Sequence, residues 1–206
     1  MPLLWWPDLC TSRTVQQAMR HILLCVIAAV LTVAACGGST SAPSTGGALN
    51  VLLKDTPFSD AKALLVTFSA VSAHLSGADF VPLTFTGGTA SRTCDLKKLT
   101  TAQDLLGSGN LVAGHYTELR LVVSSAALYF DASSSGAACA PTIPAPAGRS
   151  ASITIPSGDL RLNRPFDITS TATRTILVDF DGDQSVKEIG NGTYSMTAVI
   201  NVVSVQ

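Results

Sequence analysis

Three patterns in this chain combine residue types and spacings that could do chemistry. The first is Val33-Ala34-Ala35-Cys36. Small residues at 34 and 35 let a backbone lie extended in a peptidase cleft, and a cysteine thiol just behind them is an acyl acceptor. This pattern reads as the lipidation site of an exported protein. The second is Ser59-Asp60-Ala61-Lys62, the S-x-x-K spacing that sets a lysine amine beside a serine nucleophile in penicillin-recognising acyl transferases. Ser108-Gly109-Asn110 imitates their second motif, but no Lys-Thr-Gly strand follows. Ser59 also comes just after Pro57, in a turn before a strand instead of on a long helix, so an accidental match is the expectation.

The third pattern is Asp179, Asp181 and Asp183 with Glu188 nearby, alternating carboxylates that could offer several oxygens to calcium. Counted as an EF-hand loop from Asp179, the glycine falls at the fourth position, not the sixth, and Gly190 occupies the twelfth, where a bidentate acid belongs. A solvated hairpin end is the competing reading. His74 is expected on a strand facing solvent and His115 in a turn, each without a nearby acid or nucleophile in sequence. No catalytic residue, metal or cofactor is therefore expected. Asn191-Gly192-Thr193 fits a glycosylation sequon and reads better as the turn before the last strand.

The elements around Cys36 give the address. Met19, Arg20 and His21 form a charged start, and Ile22 to Val33 is an apolar run, too short for a bilayer core that takes about 20 residues. Residues 19–35 read as a lipoprotein signal peptide, with an ordinary secretory signal as the alternative. Residues 1–18 match no part of such a signal and are expected to be a misassigned start. Residues 36–47 are a flexible tether rich in Gly, Ser and Thr, and 48–206 form the folded domain. Gly37 behind the lipid site, where an acidic residue could stand, favours the outer membrane of the cell envelope as the destination.

Cysteine use agrees with export. Of five cysteines, Cys10 and Cys25 precede the cleavage site and Cys36 carries the lipid, which leaves Cys94 and Cys139. In an oxidising compartment two such thiols are expected to pair; two separately buried reduced cysteines are the alternative. Removing Arg13, Arg20 and Asp8 with the leader leaves 11 basic and 13 acidic side chains, a balance without a nucleic-acid footprint.

Only 13% of residues are charged, and Thr, Ser, Val, Ala and Gly are abundant, which favours short strands and turns. Leu49, Val51 and Leu53 alternate up to Asp55-Thr56-Pro57. Leu64, Val66 and Phe68 share one phase and Val71, Ala73 and Leu75 the other, predicting a bulge near Ser69 and Ala70. Pro82 puts the strand through Val81 and Leu83 at an edge. Thr100 and Gln103 resemble a capping box ahead of Leu105, Leu106 and Gly107, predicting the one short helix. Tyr116 to Ser124 is a half-buried strand, and Asp131 to Ser150 a long loop stapled at Cys139. Strand signals resume at Ile153, Leu160, Phe166 and Arg174, and Tyr194 to Val205, apolar on both faces in its second half, is expected to lie centrally. The sum is an all-β domain: an antiparallel β-sandwich, Ig-like or transthyretin-like, of about eight strands.

Several of these segments, in this order, resemble the bacterial domain-of-unknown-function family 4382. They are Leu49 to Pro57, Leu64 to Val71, Leu106 to Leu111 running on to Gly114-His115-Tyr116 and Leu121, and Leu177 to Asp181 followed by Gly190 to Tyr194. The likeness covers nearly all of 48–205, apart from the Cys94 and Cys139 region. It implies an exported, lipid-anchored β-sandwich module and no catalytic residues. The expected role is non-catalytic binding of an envelope or extracellular partner, a protein or a glycan, with the membrane reached through the N-terminal lipid. A structural subunit of an outer-envelope assembly is the second reading and an enzyme the third. Tyr116, Tyr129 and Tyr194, with no tryptophan after the leader, weigh against a glycan platform built by stacking.

Overall fold

The computed structural model describes residues 46–56 and 60–206. The expected signal peptide, Cys36, most of the expected tether and Ser59 lie outside the described residues. The first strand, β1 (Gly46–Thr56), buries every second residue, because Leu49, Val51 and Leu53 share one side of the pleat. It begins two residues inside the expected tether. Gly46 and Gly47 belong to the sheet, and a Cβ on Gly47 would meet the Thr169 carbonyl at 2.5 Å. Their missing side chains serve close packing here.

The strands then run β2 (Ala63–Leu75), β3 (Phe80–Pro82), β4 (Thr84–Phe85), β5 (Arg92–Asp95), β6 (Asp104–Val112), β7 (Gly114–Tyr129), β8 (Cys139–Ala140), β9 (Ser150–Thr154), β10 (Asp159–Leu162), β11 (Phe166–Ile168) and β12 (Thr173–Asp181). A four-residue helix α1 (Gly182–Ser185) leads to β13 (Val186–Gly190), β14 (Thr193–Met196) and β15 (Val199–Val205). They form two sheets. The smaller has the order β15-β12-β1-β6-β4, and the larger β13-β14-β9-β7-β2-β5-β8, with β10 and β11 on β7 and β3 on β2. Side chains from both sheets meet in one core, among them Leu53, Phe180, Phe68 and Leu121. This is the expected all-β sandwich, finer in its division into strands than the apolar runs suggest. It is antiparallel except where β1 pairs with β12 and β14 with β9.

The bulge near Ser69 is present as a register shift between Phe68 and Ala70, and β3 pairs only with β2, as an edge containing Pro82 should. Two expectations fail. Thr100 does not open a helix but closes one, as the C-cap of the turn before it. The helical turn is a 3-10 turn at Leu96–Leu99 capped by Asp95, and Asp104 to Val112 is strand β6, paired on both sides. Leu105 and Leu106 at the head of a β ladder outweigh the local capping signal. The segment from Tyr194 to Val205 is also not one central strand. It changes sheets after Met196, and β15 is the edge of the smaller sheet, with Val203 half exposed.

The crossing from β6 to β7 is pinned by Tyr116. Its ring is fully buried and stacked on Phe166 at 5.3 Å, and its hydroxyl donates to the Val112 carbonyl at 3.0 Å, a corner device that sandwich folds share. At the far side of the larger sheet a disulfide joins Cys94 of β5 to Cys139 of β8. Beside it the fully buried Asp95 carboxylate accepts from the Leu64 and Lys97 amides, both at 3.2 Å, and from the Ser134 hydroxyl at 2.6 Å. The long loop is therefore tied at both Ser134 and Cys139.

Candidate functional site

The residues singled out by sequence are dispersed or paired with one another. Asp179 and Asp181 project from β12 on the side opposite Phe180. Asp179 is bound by Lys54 at 2.9 Å, and Asp181 caps α1 by accepting from the Gln184 amide at 2.9 Å. Asp183 lies within α1, where the strand alternation has already ended. Among the described residues no group of three or more His, Cys, Asp or Glu side chains converges as a metal cage. Ser108 and Asn110 sit within β6, opposite Asn50 and Ala48 of β1. Asn191 and Gly192 both have positive φ, 52° and 71°, with Gly190 opposite Thr193. That is the two-residue hairpin turn for which Asn-Gly is suited.

The histidines depart from expectation. His115 is on β7, not in a turn, and its Nδ1 lies 2.7 Å from an Asp167 oxygen. Antiparallel pairing of β11 with β7 puts these residues opposite each other, an acid partner that 52 intervening positions hide in the sequence. Both side chains are more than half exposed, and such a pair contributes little to stability. His74 lies on β2, as expected, but is partly buried instead of open to solvent. It lies against Phe80 at 4.8 Å and shares a hydrogen bond with Thr117 at 2.8 Å. Arg120 and Arg161 flank the same Phe80 ring, and each guanidinium is matched by an acid, Asp159 and Glu118 respectively.

Three places in the fold remain as candidates. One is Asp55, which pattern reading treats as a strand stop. It continues the inward phase of Leu49, Val51 and Leu53, is 4% exposed, and has no hydrogen-bond partner of ordinary geometry on either oxygen. Burial pushes its carboxyl up to about 8, against the Gly182 amide, which favours the charged form; Asp179 and Asp181 add to the rise and Lys97 opposes it. Asp55 is thus held protonated at neutral pH.

The second is a groove of about 580 Å³ across the outer face of the larger sheet. Alternation turns Leu65 and Thr67 of β2 away from the core, and Ile143 from the long loop packs on Ala63 and Leu65 to form one wall. Thr93, Ser125 and Ser152 supply hydroxyls, and no charged side chain lines it.

The third is a cleft of about 610 Å³ where β7 ends and β9 and β14 begin, lined by Asp60, Phe130, Arg149, Ser150, Gly192 and Tyr194. The Phe130 and Tyr194 rings are 5.9 Å apart and tilted by 38°. Arg149 lies 5.7 Å over Phe130, and its amide, Nε and Nη2 bind the Asp131 carboxylate at 2.7, 3.1 and 3.0 Å. Those bonds hold the Asp131 carboxyl below its usual range. Neither concavity was visible in sequence, because each draws on segments far apart in the chain.

Among the described residues no helix is long and apolar enough to cross a membrane. A family model described as Domain of unknown function (DUF4382) matches residues 46–198. None of the curated proteins or solved structures compared with the chain matches it.

Proposed function

The chain belongs to domain-of-unknown-function family 4382, and we propose that it is a non-catalytic binding module, carried on the cell envelope by a lipid at Cys36. The address rests on the order of charged start, apolar run and Val33-Ala34-Ala35-Cys36. The binding role rests chiefly on the outer-face groove. Its hydroxyls and small apolar side chains hold a ligand through many weak, uncharged contacts on a stiff sheet. The tether lets that face stand clear of the membrane. The outer membrane is the proposed destination.

Two measurements test the two halves. Radiolabelled fatty acid is expected to enter the wild-type protein and not Cys36→Ser; label retained by the variant would refute the anchor. Immobilised full chain is expected to retain a saturable partner from envelope extracts, and Ser125→Arg, which puts a bulky charge in the groove, is expected to release it. Equal retention by the variant would remove the groove from the reading.

One observation favours a structural subunit as the second reading. β15 is an unpaired edge with Val199 and Val203 exposed at 37% and 50%, a surface that accepts another strand. A stoichiometric protein partner lost on Val203→Lys would select it.

A further inference from the structure

We propose that the cleft at the Phe130 and Tyr194 end of the sandwich binds a neutral saccharide. The inference rests on the binding-module reading and supplies a ligand class. Phe130 and Tyr194 each pack one side against the core while lining the cleft. Tyr194 is held by strand β14, and Phe130, one residue past the end of β7, by the hydrogen bond from its amide to the Arg149 carbonyl and by core packing. A pyranose ring has an apolar C–H face that lies on aromatic rings and hydroxyls around its rim that both donate and accept. The cleft matches both halves of that description.

Donors come from Arg149 and Ser150, and the Ser150 hydroxyl also accepts. Arg149 is held in place, because Asp131 grips it through the main chain and through two guanidinium nitrogens, Nε and Nη2. Nη1 is the guanidinium nitrogen those contacts leave. The same grip decides the charge of the ligand. The Arg149 cation and the Asp131 anion match each other, so an anion gains little from the one and a cation little from the other. A neutral polyhydroxylated ring needs neither charge. There is also room for it above the β13 to β14 turn, where a Cβ on Gly192 would have no atom within 4 Å.

Aromatic residues are scarce in this sequence, which argued against stacking on a glycan. The fold answers that objection by bringing together two rings that lie 64 positions apart.

Saturation-transfer NMR on the purified full chain tests the proposal, with the methyl glycosides of glucose, galactose and N-acetylglucosamine and a trisaccharide of each as probes. At least one series is expected to give saturable transfer to its ring C–H protons. Binding should weaken at least tenfold in Tyr194→Leu, which keeps apolar bulk against the core, and in Arg149→Gln, whose side chain is mostly exposed and can change without disturbing the fold. No saturable transfer from any probe, or undiminished binding by both variants, overturns it. If the sugars fail while an envelope protein is still captured by wild type and lost by Tyr194→Leu, the cleft binds a protein and only the saccharide inference falls. If the sugars fail and capture fails too, the binding-module reading falls with it.

Discussion

Asp55→Asn is expected to make the protein more stable at neutral pH, by about 4 kcal/mol at pH 7, and to flatten its stability between pH 4 and 8. The buried carboxyl has its folded-state value raised to about 8 from 3.8. Between those two values the unfolded chain releases the proton and the folded chain keeps it. The wild type therefore loses about 1.4 kcal/mol per pH unit as pH rises through this window, and gains it back on acidification. Above pH 8 the folded carboxyl ionises as well and the loss levels off. Asparagine carries no proton to release, so the slope goes while the shape stays. Urea unfolding of both proteins at pH 4.5, 7 and 8.5 checks this. The two should converge at the acid end and diverge toward neutrality. A constant difference at all three values would show that Asp55 titrates like an exposed carboxylate.

Asp55 also shows where sequence stops being legible. The phase of β1 could be read from Leu49, Val51 and Leu53, and continuing it by two residues puts an aspartate in the core. Turn chemistry at Asp55-Thr56-Pro57 argued for ending the strand earlier. The ladder to β12, which runs from Ala48 opposite Thr173 to Thr56 opposite Asp181, carries it on. The alternating strands and the Ser69 bulge were legible because one face of each strand is apolar, and the pairing of Cys94 with Cys139 followed from the expectation of export. The 3-10 turn at Leu96–Leu99 was not legible: its cap is local, Asp95 accepting from the Lys97 amide, but the buried position of that carboxylate depends on Leu64 and Ser134, which are distant in sequence. The Phe130, Arg149 and Tyr194 cleft was hidden for the same reason. Its parts meet only after β9 has slotted between β7 and β14.

Removing the Cys94–Cys139 bridge, in the double variant Cys94→Ala, Cys139→Ala, is expected to cost about 4 kcal/mol of stability. The bridge spans 45 residues, so reduction frees a long loop in the unfolded chain. In the folded chain β8 pairs with β5 over only two residues, Cys139 and Ala140. Without the covalent link that pairing is weak, and the loop from Asp131 to Arg149 is left with its Asp131 clasp, its bonds to Asp95, Arg92 and Lys98 and the packing of Ile143 on Ala63 and Leu65. Hydrogen exchange should accelerate around 134–143 before it does in β2 or β7. Ile143 forms a wall of the outer groove, so ligand retention there should fall as well. Linked peptides in non-reducing mass spectrometry would establish the bridge in the isolated protein. A double variant within about 1 kcal/mol of wild type would show that the rest of the loop already holds its place.

The parallel pairing of β1 with β12 sets a timetable for assembly. A chain that emerges from its N-terminus first presents Leu49, Val51 and Leu53 early, yet one flank of that strand stays bare until Arg174 to Asp181 appears. In the meantime β6 can cover only the other flank. The larger sheet has no such wait at its centre, since β2 and β7 are antiparallel neighbours joined through the middle of the chain. The expected order of events is a β2–β7 platform first and closure of the smaller sheet last, a slow non-local step. Until then an apolar strand lies open to other chains, and this is the stage at which aggregation during refolding is expected.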